Sequence, residues 1–125
     1  MALRTIIVDD SAAARHLIKK TLADMQCEFL FAADGEEALK VLQDHSDTEL
    51  ALVDWNMPVM NGLELVTALR KDSRFDNMRI IMVTTETEMM QVVRAIEAGA
   101  NEYVMKPFTK EIILDKLKLV GISPE

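Results

Sequence analysis

The sequence predicts an α/β fold in which a parallel sheet is covered by helices on both faces. Five short apolar segments alternate with five segments of helical periodicity along the 125 residues. The apolar segments do not alternate with polar residues, as is typical of strands that are buried on both faces. Connections are short, and no linker, repeat or low-complexity tract divides the chain, so we expect a single domain over residues 1–125.

The first strand is predicted at residues 5–9, a run rich in β-branched residues. Ser11 is suited to cap the helix that follows, because its hydroxyl can accept a hydrogen bond from a free N–H group of the first turn. Apolar residues recur in that helix at the spacing of one buried face, whereas basic residues should face water. The apolar set is Ala14, Leu17, Ile18, Leu22 and Met25, and the basic set is Arg15, Lys19 and Lys20.

The other elements follow from the same patterns. Further strands are predicted at Cys27–Ala32, 50–54, Arg79–Thr84 and Glu102–Met105, and further helices at 36–43, 63–71, 86–98 and 110–119. Thr109 is suited to cap the last helix, and Gly99 and Gly121 are suited to end the last two.

The amino-acid composition disfavours several classes of partner. Lysine and arginine total 14 and aspartate and glutamate total 21, which gives a net charge of −7. This acidity disfavours nonspecific binding to nucleic acid or to anionic membranes. The sequence shows no apolar run of the roughly 18–20 residues that a membrane helix needs and no apolar signal segment, so we expect a cytoplasmic protein. Cys27 is the only cysteine, and its apolar surroundings predict core packing.

Polar residues that could act as ligands, nucleophiles or hydrogen-bond donors lie at the carboxyl ends of the predicted strands. Asp9 and Asp10 end the first strand, Asp54 the third and Thr84 the fourth, and Lys106 follows the fifth. Ligands of open α/β sheets bind at this edge, so the three carboxylates converge if the first and third strands are neighbours. Carboxylate oxygens suit a hard divalent cation, and Mg²⁺ is the usual one.

This set of groups suits phosphoryl transfer. Three carboxylates and the Lys106 ammonium carry a net charge of −2, which one Mg²⁺ neutralises. Asp54 stands alone at a central strand end and is the best candidate nucleophile, whereas Asp9 and Asp10 are better placed as ligands. Thr84 and Lys106 can interact with phosphoryl oxygens.

Six sequence segments together resemble the receiver domains of two-component response regulators, most closely those of the single-domain chemotaxis type. They are Ile7-Val8-Asp9-Asp10-Ser11, Asp54-Trp55-Asn56-Met57-Pro58, Asn61-Gly62-Leu63-Glu64-Leu65, Met82-Val83-Thr84, Gly99-Ala100 and Tyr103-Val104-Met105-Lys106-Pro107-Phe108. The resemblance implies a flavodoxin-like (βα)5 three-layer sandwich with strand order 2-1-3-4-5. That order comes from the resemblance and not from the spacing.

The resemblance also implies roles for the polar residues. Asp54 would accept a phosphoryl group from a histidine kinase, and Lys106 would pair with that group. Asp9, Asp10 and Asp54 would hold Mg²⁺ together with the main-chain carbonyl of Asn56. The Lys106–Pro107 peptide bond would be cis, as bonds before proline can be.

A switch and a set of partners are implied in the same way. Thr84 would move toward the phosphoryl group and Tyr103 would turn inward, which changes the face formed by the fourth helix, fifth strand and fifth helix. That face would control a downstream target, such as the flagellar motor switch. The acyl phosphate would hydrolyse slowly on the domain, which is otherwise not an enzyme, and a phosphatase could shorten the signal.

The fourth helix carries more apolar residues than one sheet-facing stripe requires. We expect Met89, Val92 and Ile96 to form an exposed partner patch near Tyr103. The alternative is a wide stripe that packs entirely against the sheet.

Other functions remain open from the sequence. The chain could be a stand-alone switch, as its Met1 start and its short tail at 123–125 suggest, a receiver cut from a longer regulator, or a member of a phosphorelay outside chemotaxis. A dehalogenase-type Mg²⁺ phosphatase would place its nucleophile after the first strand with a second aspartate two residues later, where this chain has Ser11. A flavin-binding module would need a phosphate loop where Asp9 and Asp10 would repel phosphate, and a purely structural adaptor would not need the complete acidic set.

Overall fold

The computed structural model describes residues 2–85 and 88–122. Five strands form one parallel sheet in the order β2-β1-β3-β4-β5. The strands are β1 (Leu3–Val8), β2 (Cys27–Ala32), β3 (Leu50–Val53), β4 (Arg79–Thr84) and β5 (Glu102–Met105). The helices are α1 (Ala12–Thr21), α2 (Gly35–Gln43), α3 (Gly62–Arg70), α4 (Met89–Ala98) and α5 (Lys110–Leu119), and a 3₁₀ turn lies at Ser73–Phe75. The predicted fold class and strand order are confirmed.

Two apolar layers cover the sheet. One lies against α2, α3 and α4, and the other lies against α1 and α5. Neighbouring residues of β1 enter opposite layers, since Ile6 and Val8 belong to the first and Ile7 to the second. This explains why the strand sequences lack polar alternation, because both of their faces are buried.

The capping residues that were predicted from the sequence lie at the ends of the helices. Ser11 Oγ accepts a hydrogen bond from Ala14 N at 3.1 Å, and Thr109 caps α5 in the same manner. Gly99 has a φ of 120° after α4, and Gly121 has a φ of 89° after α5. These left-handed values favour glycine, which has no Cβ to clash.

Several predicted boundaries differ from the structure by one to three residues, including both ends of β1 and of α3 and the start of α2. Strand β1 ends at Val8 rather than at residue 9, and the N–H of Asp9 donates to Ala32 O at 3.0 Å beyond the ladder. Strand β3 likewise ends just before Asp54. Helix α4 begins at Met89 because Glu88 has extended dihedral angles, whereas residue 86, the predicted start, lies outside the described residues.

Two predictions for α1 are wrong. The Leu17 side chain is 54% exposed instead of buried, and it lines an apolar pocket of about 380 Å³ together with Ile18 and Phe108. Arg15 is half-buried instead of facing water, since its guanidinium reaches back to the end of β1. The buried face of the helix is therefore narrower than the apolar spacing suggested.

Cys27 packs against the α1–α5 layer, but it lies at the rim of that layer and remains half-buried. Burial raises the pKa of its thiol above the ordinary value.

Among residues 2–85 and 88–122, no helix has both the length and the apolar character that crossing a bilayer requires. The tail at 123–125 lies outside the described residues.

Candidate functional site

Three carboxylates meet at the carboxyl edge of the sheet. Because β1 and β3 are hydrogen-bonded neighbours, Asp9 and Asp54 leave adjacent strands at the same level. One carboxylate oxygen from each of Asp9, Asp10 and Asp54 lies within 4.8 Å of the other two. Asp9 and Asp54 are buried, whereas Asp10 is exposed, so the group opens to solvent on one side. The structure thus brings together the three acidic residues that were singled out from the sequence.

Lys106 reaches this acidic group from β5. Its Nζ lies 2.6 Å from Asp9 Oδ2 and 3.8 Å from Asp54 Oδ2. The main chain is fixed beside β4, since Lys106 N donates to Thr84 O at 2.9 Å. The Lys106–Pro107 peptide bond is cis, as the resemblance implied.

Asp9 is held by its own loop and by α1. Its Oδ1 accepts a hydrogen bond from Ser11 N at 2.9 Å, and its main-chain oxygen accepts one from Arg15 Nη1 at 2.6 Å. Sequence reasoning missed Arg15. The available signal was a basic residue in the first turn of a helix that begins directly after two acidic residues.

Asp54 is 8% exposed, so its carboxyl group is partly desolvated. Burial is the largest influence and raises its pKa above the ordinary value; the nearby Asp9 charge acts in the same direction. Hydrogen bonds from the Thr84 hydroxyl and the Trp55 N–H, together with the Lys106 ammonium, oppose this rise. The carboxylate therefore has hydrogen-bond donors and a cation close by, but its charge is incompletely compensated.

The chain passes very close to Asp54 on the other side of the loop. A Cβ placed on Gly62 would collide with the main-chain oxygen of Asp54 and would lie 2.9 Å from Met82 Cε. Gly62 N also donates to Trp55 O at 2.9 Å. The Asn61-Gly62 pair, which reads as a turn in the sequence, thus starts α3, with Asn61 as its N-cap and Gly62 packed against the loop that carries Asp54.

The residues assigned to the switch are buried. Thr84 is 0% exposed at the end of β4, and Tyr103 is 8% exposed in β5. Strands β4 and β5 are paired with Thr84 opposite Met105, so Thr84 and Tyr103 lie on adjoining strands. Tyr103 belongs to the same apolar layer as Ala95 of α4. Asn56 is exposed in the loop that follows Asp54. Its carbonyl remains a predicted ligand.

The predicted partner patch is only partly exposed. Met89 is 72% and Ile96 is 44% exposed, but Val92 is half-buried against the core and Tyr103 is buried. Val92 therefore contributes less exposed surface than was expected, and the exposed apolar area lies mainly at Met89 and Ile96. The role of this surface as a partner patch stays a prediction. Met90, Val93 and Met105 are exposed apolar residues on the same elements.

The acidic group has the chemistry of a magnesium site. Its three side-chain donors are all carboxylate oxygens, and oxygen atoms are the ligands that Mg²⁺ prefers. The open side at Asp10 leaves room for the waters that Mg²⁺ usually retains. The donor set thus fits the cofactor that the sequence predicted.

A sheet in the order 2-1-3-4-5 with acidic residues, a threonine and a lysine at its carboxyl edge defines a class of signalling domain. The chain belongs to the response regulator receiver domain family, whose sequence profile matches residues 5–118. This family membership confirms the resemblance that was noted in the sequence.

Individual relatives are chemotaxis proteins. The chain is 44% identical over 119 residues to the chemotaxis protein CheY1 of Helicobacter pylori, covering 94% of this chain and 96% of that protein. It is 42% identical over 117 residues to the chemotaxis protein CheY homolog of Campylobacter jejuni, covering 93% and 90%. The solved structure of the chemotaxis response regulator CheY4 of Vibrio cholerae has a TM-score of 0.87 at 37% identity and covers 96% of this chain and 99% of that chain. The chain is thus a receiver domain of the CheY type.

Proposed function

We propose that this protein accepts a phosphoryl group on Asp54 from a histidine kinase and thereby switches a surface that controls a partner in chemotaxis or motility. The observation that carries the proposal is the position of Lys106 beside Asp54, within 3.8 Å, at an edge that also holds Asp9 and Asp10. Those groups are a nucleophile, a cation and oxygen ligands, which are what phosphoryl transfer to a carboxylate requires.

In the proposed reaction an Asp54 carboxylate oxygen attacks the phosphorus atom of a phosphohistidine. A P–O bond forms as the P–N bond breaks, and the imidazole leaves on the opposite side. Lys106 pairs with a phosphoryl oxygen, and the Thr84 hydroxyl, which hydrogen-bonds the Asp54 carboxylate, donates to another.

Asp9, Asp10 and Asp54 would hold Mg²⁺ with the carbonyl of Asn56, and the bound ion would supply positive charge for the phosphoryl oxygens. Arg15 and the Ser11 N–H would keep Asp9 oriented for that task. Slow hydrolysis of the acyl phosphate would end the signal, with a phosphatase as a further partner.

The signal would leave through α4, β5 and α5. Thr84 and Tyr103 lie buried on adjoining strands, so a change at the Asp54 end of β4 would be transmitted by repacking between these strands and α4. Met89, Ile96 and Met105 supply the apolar surface that a target would cover. A chemotaxis target, such as the flagellar motor switch, is favoured because the similar proteins in Helicobacter and Campylobacter bear chemotaxis names.

The test is phosphotransfer from a chemotaxis histidine kinase of the same organism. The kinase is labelled with [γ-³²P]ATP, freed of nucleotide, and mixed with the receiver in the presence of Mg²⁺. The label should move to the receiver within seconds to minutes and should not move to Asp54→Asn. Deletion of the gene should alter the swimming behaviour of the cell, and normal swimming would place the receiver in a phosphorelay outside chemotaxis.

A further inference from the structure

An open groove of about 730 Å³ runs along the outer edge of the sheet, where α1 passes over β2. We name it the β2 groove; it is lined by His16, Lys19, Lys20, Ala23, Met25, Cys27, Phe29 and Phe31. It is open because, within residues 2–85 and 88–122, α1 and α5 are the helices that cover this face of the five-stranded sheet, and they leave the edge strand incompletely covered. The groove is lined by α1, the segment after it and β2, and it does not include the acidic residues of the phosphoryl-acceptor site.

The floor of the β2 groove is aromatic. The rings of Phe29 and Phe31 are stacked with centroids 6.2 Å apart, and Phe31 is 39% exposed. The Phe29 ring packs against the α1–α5 layer and is half-buried, so the floor is a fixed surface. Covering an exposed aromatic surface of this kind with an apolar group of a partner is favourable, because it removes the surface from water.

The rim of the groove is basic. It carries Lys19, Lys20 and His16, and none of the lining residues is acidic. Lys19 Nζ lies 5.8 Å from the centroid of the Phe31 ring, and neither lysine forms an ion pair within the described residues. In a chain of net charge −7 this rim is a local positive region, which favours a negatively charged occupant.

The neighbouring strand edge determines the shape of that occupant. Within the described sheet, β2 pairs with β1 alone and forms the end of the strand order. The outer side of β2 therefore offers main-chain groups that an extended peptide can pair with. A membrane surface suits the groove less well, because the groove is concave and the chain as a whole is acidic.

We propose that the β2 groove binds an extended acidic peptide segment of a partner protein. The segment adds to the free edge of β2, places an apolar side chain on the two phenylalanine rings, and directs carboxylates to Lys19 and Lys20. This site is distinct from the α4–β5–α5 surface, so one receiver can hold two partners at once.

The test uses the full chain and a fluorescein-labelled probe peptide of sequence Glu-Asp-Phe-Glu-Asp-Phe-Glu-Asp, followed by fluorescence anisotropy. The double variant Lys19→Glu/Lys20→Glu should weaken binding about tenfold, because two attractions become repulsions. The matched control is Lys71→Glu/Lys118→Glu, which changes two exposed lysines elsewhere and alters the net charge equally. It should bind within about twofold of the parent chain. Phe31→Ser should weaken binding with the basic rim intact, and circular dichroism checks that each variant is folded.

Two further readouts separate the site from general charge attraction. Amide chemical shifts should change along β2 when the peptide binds, and the peptide should protect the Cys27 thiol from a thiol reagent. Equal weakening by the control variant, equal binding of a peptide with lysine in place of each acidic residue, or shifts confined to α4 and β5 would overturn the proposal. Displacement of the peptide by anionic phosphatidylserine vesicles, but not by neutral vesicles, would also overturn it in favour of a membrane site.

Discussion

The ammonium of Lys106 lies 2.6 Å from Asp9 Oδ2, closer than it lies to the proposed acceptor Asp54. The lysine thus occupies one side of a carboxylate that is also proposed to bind Mg²⁺. A cation bound at the acidic group and the lysine must share that carboxylate, and their like charges repel each other.

Replacing Lys106 by methionine should therefore tighten Mg²⁺ binding by about tenfold, because the acidic group keeps all of its negative charge. Trp55 follows Asp54 directly and is buried, so its fluorescence should report the titration. Lys71→Met, at an exposed position after α3, is the matched control and should leave the affinity unchanged. Weaker binding in Lys106→Met would show that the lysine organises the ligands rather than competing with the ion.

The raised pKa of Asp54 predicts how stability depends on pH in the absence of divalent ions. Because burial holds the folded-state pKa above the unfolded value, the folded state binds the proton more tightly. Relative to Asp54→Asn, the parent chain should lose stability as the pH rises from the unfolded-state pKa of Asp54 to its folded-state pKa. The loss should be complete above the folded-state pKa. At neutral pH Asp54→Asn should therefore be more stable than the parent chain. Urea unfolding of both proteins from pH 3 to pH 8 with a chelator measures the difference, and a difference that does not vary with pH would exclude this cause.

Arg15 tests whether Asp9 must be held in place. If the hydrogen bond from Arg15 to the Asp9 carbonyl orients the ligand, both Arg15→Ala and Arg15→Lys should weaken Mg²⁺ binding, by roughly tenfold for alanine. If only the charge of Arg15 matters, alanine should tighten binding and lysine should leave it unchanged. Lys19→Ala, one turn further along α1, serves as the control in the same Trp55 titration.

Val59 has a left-handed backbone conformation in the loop after Asp54, with a φ of 67°, and its side chain is 74% exposed. A β-branched residue is especially disfavoured there, because the two methyl groups on its Cβ add to the crowding of the backbone. Val59→Asn should raise the free energy of unfolding by about 1 kcal/mol and the Tm by about 4 °C, since asparagine tolerates this conformation. Val59→Ala removes the branching but lacks the amide group with which asparagine hydrogen-bonds the local backbone, so it should gain less. Thermal unfolding by circular dichroism compares the three proteins, and a lower Tm for asparagine would show that the valine makes a stabilising contact.

The sequence was sufficient to place the acidic residues, Thr84 and Lys106 at one edge of the sheet. Parallel strands end at a common edge, so residues that follow different strands are predicted to lie at that edge without any knowledge of side-chain contacts. The strand order itself came from family resemblance, because spacing does not determine which strands pair.

Arg15 and Gly62 could not be predicted in the same way. The direction of the arginine depends on how α1 is rotated over the sheet, and the need for glycine depends on the path of a loop that returns to within contact of Asp54. The predicted burial of Leu17 was wrong for a related reason. Helical spacing identifies an apolar stripe, but the packing of the helix determines how wide the buried part of that stripe is.

Phosphorylation of Asp54 is tested most directly by the intact mass of the protein after incubation with acetyl phosphate and Mg²⁺. We expect one labile phosphoryl group, which maps to Asp54, requires Mg²⁺ and is absent from Asp54→Asn. A label of undiminished yield in Asp54→Asn, or one that forms equally well in the presence of a chelator, would show that Asp54 is not the Mg²⁺-dependent acceptor.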